Sequence, residues 1–483
     1  MSGKVYLVGA GPGDAGLLTL SGRAVLSRAD VVVYDALVGP AVLAMAPAGA
    51  RCVDAGKRAG RHTLAQSEIH DLLLAEALAG RTVVRLQGGD PFLFGRGGEE
   101  LAFLRSRGVP CEVIPGVSAA LAAPACAGLP VTHREAASSV HILTAHRQAG
   151  APLELDFASL ARLEGTLVFL MGLAALPALC RGLLEAGMDP ETPAAAVSRG
   201  STAGQRQVQS SLAALPEAAR GLEAPAVIVV GRVCALSQDW RAALPLGGKL
   251  FLVTRPRERA ASLLAGLRAL GAEAVPYPTV ALQPLPGADL SALADCRWLA
   301  LTSPSGVDIF FDRLRALGRD VRSLSHLRIA ALGAGTAAAL AARGVFADLV
   351  PETYDTASLG EALAAILRPG ERVLLARARA GSPELPRCLP PGSYYDVPLY
   401  ETVFHKPALP ALPPLLEAGA RVVFTSASTV RGLAAATGRN LTGVPALCIG
   451  RQTAEAAQEF GMNPYIARTA TVDGLVELAL EVP

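Results

Sequence analysis

The 483-residue chain has almost no net charge, with 44 Lys and Arg against 42 Asp and Glu. Neither half departs from that balance: there are 21 basic and 21 acidic residues before Pro245, and 23 and 21 after it. Nucleic-acid binders carry a basic surplus, so no nucleic-acid partner is expected and any basic patch must be local. CxxC pairs are also absent. The eight cysteines (Cys52, Cys111, Cys126, Cys180, Cys234, Cys296, Cys388, Cys448) are scattered, and the nearest two, Cys111 and Cys126, stand 15 residues apart. A zinc site or a disulfide framework is therefore not expected; isolated thiols suit a reducing cytoplasm. Nothing like a signal peptide precedes the strand-like start at 4–10. The longest uncharged stretch, 113–132, is broken by Pro115, Pro124 and Pro130 and diluted by Gly, Ala and Ser, a poor membrane span. A cytoplasmic protein without membrane contact is expected.

What is abundant is apolar: 51% hydrophobic against 18% charged residues, in a chain long enough for about three domain-sized units. Short Val/Leu/Ile runs at 5–8, 31–34, 83–86, 140–144, 166–170 and 227–230 alternate with Ala/Leu-rich helical stretches. Such runs predict buried strands of parallel or mixed sheets, and hence an α/β protein. Leu244-Pro245-Leu246-Gly247-Gly248 reads as a boundary, giving units at 1–244 and 249–483 with a linker at 245–248.

The second part repeats itself. Thr302-Ser303-Pro304-Ser305 returns as Thr425-Ser426-Ala427-Ser428, Leu332-Gly333 as Ile449-Gly450, and Leu252-Val253-Thr254-Arg255 as Leu374-Leu375-Ala376-Arg377, at offsets of 123, 117 and 122. Nearly constant offsets in one order predict two similar α/β lobes, each with a strand-to-helix turn where a small ligand can sit. A duplicated scaffold without chemistry is the alternative.

The N-terminal part carries three small-residue loops at strand ends. Gly9-Ala10-Gly11-Pro12-Gly13-Asp14 opens like a dinucleotide fingerprint, with Asp35 after the next strand. Asp14 stands where the third glycine belongs and would face a pyrophosphate, while Pro12 removes an N–H from the cradle. A flat neutral or cationic ligand, such as an adenosyl sulfonium, fits better; a nicotinamide oxidoreductase is the rival. In the second loop, Gln87 to Glu100, five glycines fall within 11 residues, a costly density for a merely structural turn. The third is Pro115-Gly116-Val117-Ser118-Ala119. Met171-Gly172 ends a later strand, a place where Met more often fills a core.

The ordered set GAGPGD, ADVVVYDALV, GGDPFLFGRGGEE, PGVSAA, AGLPVTHR and LMG resembles the uroporphyrinogen-III C-methyltransferases of the tetrapyrrole-methylase superfamily, over residues 4–240. The resemblance implies a two-lobed tetrapyrrole methylase fold, commonly a homodimer, with S-adenosyl-L-methionine as methyl donor. By motif position Pro12, Gly88, Gly89, Asp90, Leu93, Ser118, Ala119, Met171 and Gly200 line the cofactor site. The implied reaction methylates uroporphyrinogen III at C2 and C7, giving precorrin-2 for sirohaem or cobalamin. Methylating a pyrrole carbon requires a proton acceptor, and Asp35 is the natural one; a helix N-cap is the alternative reading. Lys57 matches the family's proposed proton donor, although alone it reads as a surface charge. A substrate with eight carboxylates also needs cations. Arg51, Lys57, Arg58 and Arg61 cluster against Asp54 alone, and Arg96, His133 and Arg134 lie in other motif loops.

The repeat and its Ser/Thr loops resemble uroporphyrinogen-III synthase over residues 249–482, implying a bilobed α/β fold that cyclises hydroxymethylbilane with inversion of the last ring and no cofactor. Thr302, Ser303, Thr425 and Ser426 are candidate carboxylate holders, with helix capping the alternative. Tyr354 is the candidate for assisting loss of the bilane hydroxyl. A non-catalytic bilobed ligand-binding module is the rival for this half.

Overall fold

A computed structural model describes residues 3–47, 49–56, 64–145, 154–404, 412–437 and 440–482. Each predicted apolar run is a strand: Lys4–Gly9, Val31–Tyr34, Thr82–Gln87, Val140–Thr144, Thr166–Leu170 and Ala226–Val230. The described residues build four five-stranded sheets flanked by helices. The chain is thus α/β throughout.

In the first sheet the order is Arg51–Asp54, Val31–Tyr34, Thr82–Gln87, Lys4–Gly9, Cys111–Ile114, all parallel. Its runs are unbroken because both faces are covered. Val8, Val32, Val84 and Leu86 feed one core, and Val5, Leu7, Val31, Val33 and Val83 feed another on the opposite face. The second sheet, ordered Val140–Thr144, Thr166–Leu170, Ala226–Val230, Pro193–Ser198, Arg206–Ser211, is mixed: only its first pair is parallel. It divides its side chains the same way, Leu167, Phe169 and Ile228 to one core and Val168, Val227 and Val229 to the other.

Beyond the boundary, the third sheet runs Glu273–Pro276, Leu250–Val253, Arg421–Phe424, Pro445–Cys448, Asn463–Ile466, all parallel. The fourth runs Val280–Pro284, Tyr394–Phe404, Val373–Ala378, Trp298–Leu301, Arg328–Ala331, with only the Val280–Pro284 edge antiparallel. The sequence repeat maps onto this plan. Leu250–Val253, Arg421–Phe424 and Pro445–Cys448 are consecutive neighbours in one sheet, and their repeat partners Val373–Ala378, Trp298–Leu301 and Arg328–Ala331 are consecutive neighbours in the other. The lobes are not contiguous halves of 249–483. Two compact units emerge, Met1–Thr279 with Lys406–Pro483, and Val280–His405. The first therefore holds the N-terminal half together with one of the two repeated lobes.

Candidate active site

Four adjacent parallel strands of the first sheet end side by side, and the loops leaving their carboxyl ends carry most of the N-terminal candidates. This is the usual position of a ligand crevice in an open α/β sheet. Asp35 follows Val31–Tyr34, Gly88 follows Thr82–Gln87, Pro12 lies just past Lys4–Gly9, and Ser118 lies past Cys111–Ile114.

The first two glycine loops are stitched backbone to backbone. Gly11 N–H donates to Gly89 O at 3.2 Å, and Gly89 N–H donates to Gly11 O at 2.8 Å. The third loop closes on the same point. A Cβ placed on Gly116 would stand 2.2 Å from Gly89 O and 2.6 Å from Gly9 Cα, so no side chain fits where the three loops meet. The result is a floor of bare main chain, suited to a flat ligand lying against it. Gly89 also sits at the start of the helix Ala119–Cys126, whose N-cap Ser118 accepts from Ala120 N–H at 3.2 Å.

Asp90 fastens this floor. Its Oδ1 accepts from Phe92 N–H (2.8 Å) and Leu93 N–H (3.2 Å), and its Oδ2 from Gly116 N–H (2.9 Å). Asp35 is not a helix N-cap, since the helix Pro40–Leu43 is preceded by Gly39. Its Oδ1 accepts from Leu37 N–H and its Oδ2 from Gly88 N–H, both at 2.9 Å. Each oxygen keeps a second lone pair, and the residue is only partly buried, so a proton can still reach it. Asp14 caps a short 3₁₀ turn through Gly16 N–H at 2.8 Å. Its carboxylate thereby occupies the helix start where a dinucleotide would place its pyrophosphate.

Just past the second-sheet strand Pro193–Ser198, Gly200 packs on the helix Ala119–Cys126: a Cβ there would stand 2.4 Å from Ala123 Cβ. Its neighbour Ser201 accepts from Asp14 N–H at 3.2 Å. Met171 is at its strand end as expected, but it is not core. It is 49% exposed with a left-handed backbone (φ 56°). His133 and Arg134 are exposed on a loop closed by His133–Ala137 backbone pairing, and no hydrogen bond ties them to the floor. Arg96 lies in the second loop with its guanidinium forked onto Glu99 (2.9 and 2.6 Å), and that hydrogen bond raises its pKa further. Glu99 takes the Nε and Nη2 edge, which leaves the Nη1 side of the guanidinium for another carboxylate. Lys57, Arg58 and Arg61 lie outside the described residues.

Sequence reasoning missed two features. All five non-glycine residues with positive φ among the described residues, Phe94, Arg96, Met171, Arg199 and Ser201, fall in the N-terminal half's loops. Such strain gathers where surroundings over-determine the backbone, commonly at functional sites. The second is a buried ion pair under the floor. Arg85 (5% exposed) donates to Glu100 (0%) at 3.2 Å, and Gln66 donates to the same carboxylate oxygen at 2.9 Å. Arg85 points into a core from a strand, where periodicity alone predicts an apolar residue.

In the unit Val280–His405, Thr302 and Ser303 follow the strand Trp298–Leu301. Ser303 does cap its helix, accepting from Gly306 N–H at 2.9 Å, and its hydroxyl also meets the buried Tyr400 hydroxyl at 2.9 Å. Tyr354 is 61% exposed, its ring lying against the backbone of Gly333 at the start of the helix Ala334–Ala341. In the other unit, Thr425 and Ser426 end Arg421–Phe424, and Ser426 Oγ pairs with Ser428 Oγ at 2.9 Å. No cluster of His, Cys, Asp or Glu among the described residues could hold a metal, and no described helix is long and apolar enough to cross a membrane.

Residues 4–216 match the family described as "Tetrapyrrole (Corrin/Porphyrin) Methylases", and residues 261–477 match "Uroporphyrinogen-III synthase HemD". "Porphyrin biosynthesis protein HemD" of Ruminiclostridium josui is 40% identical over 494 residues, covering 99% of this chain and 98% of that protein. "Siroheme synthase" of Tolumonas auensis is 47% identical over 254 residues, 52% of this chain, and the chain spans about half (54%) of its length. Among solved structures, the uroporphyrin-III C-methyl transferase of Thermus thermophilus complexed with S-adenyl homocysteine shows 43% identity over 48% of this chain and 100% of that one, with a TM-score of 0.43. On the strength of the full-length match, the chain belongs to the bifunctional tetrapyrrole-biosynthesis proteins that join a tetrapyrrole methylase to a uroporphyrinogen-III synthase.

Proposed function

We propose that the C-terminal half cyclises hydroxymethylbilane to uroporphyrinogen III and that the N-terminal half methylates that product at C2 and C7 to precorrin-2. The observation that carries the methylation is the side-chain-free floor where Gly9, Gly89 and Gly116 meet, with Asp35 bonded to the adjoining Gly88. The floor suits a thio-adenosine nucleoside. S-adenosyl-L-methionine bound there supplies an electrophilic methyl group. Pro12, Gly88, Gly89, Leu93, Ser118 and Ala119 present backbone and small surfaces to it. Asp90 keeps that backbone in place, and Met171 and Gly200 contribute from the second sheet.

Asp35 takes up the proton that the methylated ring sheds, and Lys57 is the proposed proton donor. Arg96, His133 and Arg134 receive substrate carboxylates, where the planar guanidinium fork suits bidentate contact. In the synthase half, Thr302, Ser303, Thr425 and Ser426 offer hydroxyls at strand ends for carboxylates, and Tyr354 assists departure of the bilane hydroxyl. The exposed position of the Tyr354 ring supports a role facing ligand. By the same family likeness the enzyme is a cytoplasmic homodimer assembled through its methylase half.

The test is incubation of the purified chain with hydroxymethylbilane, with and without S-adenosyl-L-methionine. Type III uroporphyrinogen alone, and the same macrocycle heavier by two methyl groups when the donor is added, are the expected products. Absence of the type III isomer would overturn the synthase assignment. No mass gain from added uroporphyrinogen III would overturn the methylase assignment.

A further inference from the structure

The loop at 199–205 is one of two places in the methylase half with a close pair of strained residues. Arg199 and Ser201 both adopt left-handed backbone, at φ 47° and 73°. Several neighbours hold it from the methylase side: Arg199 N–H donates to Pro225 O at 2.8 Å and its guanidinium pairs with Glu223. Gly200 presses on Ala123, Ser201 Oγ accepts from Asp14 N–H, and Gln205 Nε2 donates to Cys126 O at 3.0 Å. Inside the loop, Ser201 N–H donates to Gln205 Oε1 at 2.9 Å.

A further hold comes from the synthase half. Ala203 N–H donates to Glu273 Oε2 at 2.7 Å, and Glu273 begins the edge strand Glu273–Pro276 of the third sheet, within the same compact unit. Arg268 secures that strand by donating to Ala274 O at 2.7 Å. A second tie lies nearby in sequence: Arg257 Nη1 donates to Ala46 O at 2.7 Å and Nη2 donates to Ala44 O, two carbonyls just past the helix Pro40–Leu43 that follows the Asp35 turn. The synthase lobe therefore grips the two methylase segments that flank the glycine floor.

We propose that Glu273, a residue of the synthase half, is a positioning residue of the methyl-donor site, acting through Ala203 on the loop that braces Asp14 and the first glycine turn. This rests on the reading of that floor as the S-adenosyl-L-methionine site. Strained backbone persists only where its surroundings fix it. Removing one charge-assisted contact from the loop's outer side lets it relax away from Asp14, and ligand binding must then re-order it. The fused synthase domain is on this account part of the methylase's scaffold and more than a tether.

The test compares full-length wild type with Glu273→Ala, Glu273→Asp and Glu273→Gln. Calorimetric titration with S-adenosylhomocysteine and methylation kinetics on uroporphyrinogen III give the readouts. Glu273→Ala is expected to weaken nucleoside binding and raise the donor KM by about tenfold, the scale of one charged-group hydrogen bond. Its kcat and its bilane cyclisation stay within about twofold of wild type. Glu273→Asp, one methylene short of Ala203, follows Ala and serves in its place should Ala fail to fold. Glu273→Gln, which keeps an acceptor oxygen at the same reach, restores binding. Wild-type affinity in Glu273→Asp, or failure of Gln to restore it, overturns the inference. Failure of the wild type to bind the nucleoside at all would overturn the reading of the floor instead.

Discussion

Asp90→Asn separates a residue that touches the ligand from one that holds the floor together. The native carboxylate accepts three backbone N–H groups, from Phe92, Leu93 and Gly116. An asparagine can keep the two local bonds with its single carbonyl oxygen. Its NH₂ then faces Gly116 N–H, donor against donor, so one charge-assisted bond is lost and one amide is left unmatched. The cost is about 1.5–3 kcal/mol. Gly116 is in turn the residue packed against Gly89 O and Gly9 Cα, so the loss falls on the point where the three loops meet. Without any ligand, the melting temperature of the compact unit that holds the floor should fall by about 1–2 °C for each kcal/mol lost. S-adenosylhomocysteine affinity should fall about tenfold as the floor loosens. Scanning calorimetry of the ligand-free protein and isothermal titration check the two parts. An unchanged ligand-free melt with abolished binding would show that Asp90 meets the ligand directly, and the fastening argument would be wrong.

Three further outcomes are expected. Arg85→Ala leaves the Glu100 carboxylate buried and without its cation, so urea unfolding should show a loss of about 3–5 kcal/mol, with Arg85→Ala plus Glu100→Leu milder than Arg85→Ala alone; equal losses would contradict the pairing. Burial pushes the Glu273 carboxyl above the ordinary carboxylate range, with Asp14 adding to the shift and Ala203 N–H, Arg241 and Arg268 opposing it. The folded chain thus holds this proton to higher pH than the unfolded chain, and wild-type stability drains away as pH rises through the raised value. Relative to wild type, Glu273→Gln should gain melting temperature between acid and neutral pH, and a constant difference would refute the sign. Tyr354→Phe should slow bilane cyclisation while leaving methylation of added uroporphyrinogen III and global stability unchanged, within about 0.5 kcal/mol; an unaffected cyclisation rate removes Tyr354 from the mechanism.

The parts legible in the sequence were those dictated locally. Glycine density at strand ends marks close backbone approach because no other residue permits it, and Gly9, Gly89 and Gly116 meet as that density implies. Unbroken apolar runs announce strands covered on both faces, and the first sheet divides its Val and Leu residues between two cores accordingly. The repeat announced two similar lobes. It could not tell which repeated strands would pair, and Leu250–Val253 joins Arg421–Phe424 across 169 residues, through Thr254 Oγ1 donating to Val423 O at 2.8 Å. Periodicity carries no information about such a partner.

What stayed hidden has one physical origin. Ser201 and Arg199 are ordinary residues in a polar turn, and nothing about their side chains asks for positive φ. Their conformation is held by Gln205 within the loop and by Ala123, Asp14 and Glu273 from three other parts of the chain. Arg85 likewise breaks the apolar run at 83–86, and its burial is explained only by Glu100 and Gln66, which come from outside that strand. Met171 misleads in the opposite direction, since an apolar side chain at a strand end looks like core until its left-handed backbone turns it outward. For Arg199, Ser201 and Arg85 a contact from elsewhere in the chain overrides a local preference, at a cost that only a well-packed surround can sustain. The left-handed positions gather in the loops of the methylase half, whereas the glycine floor follows local rules. A loop held against its own preference by several neighbours is also one whose position each neighbour can shift, which is why the synthase-half carboxylate at Glu273 bears on methyl-donor affinity without lying on the floor itself.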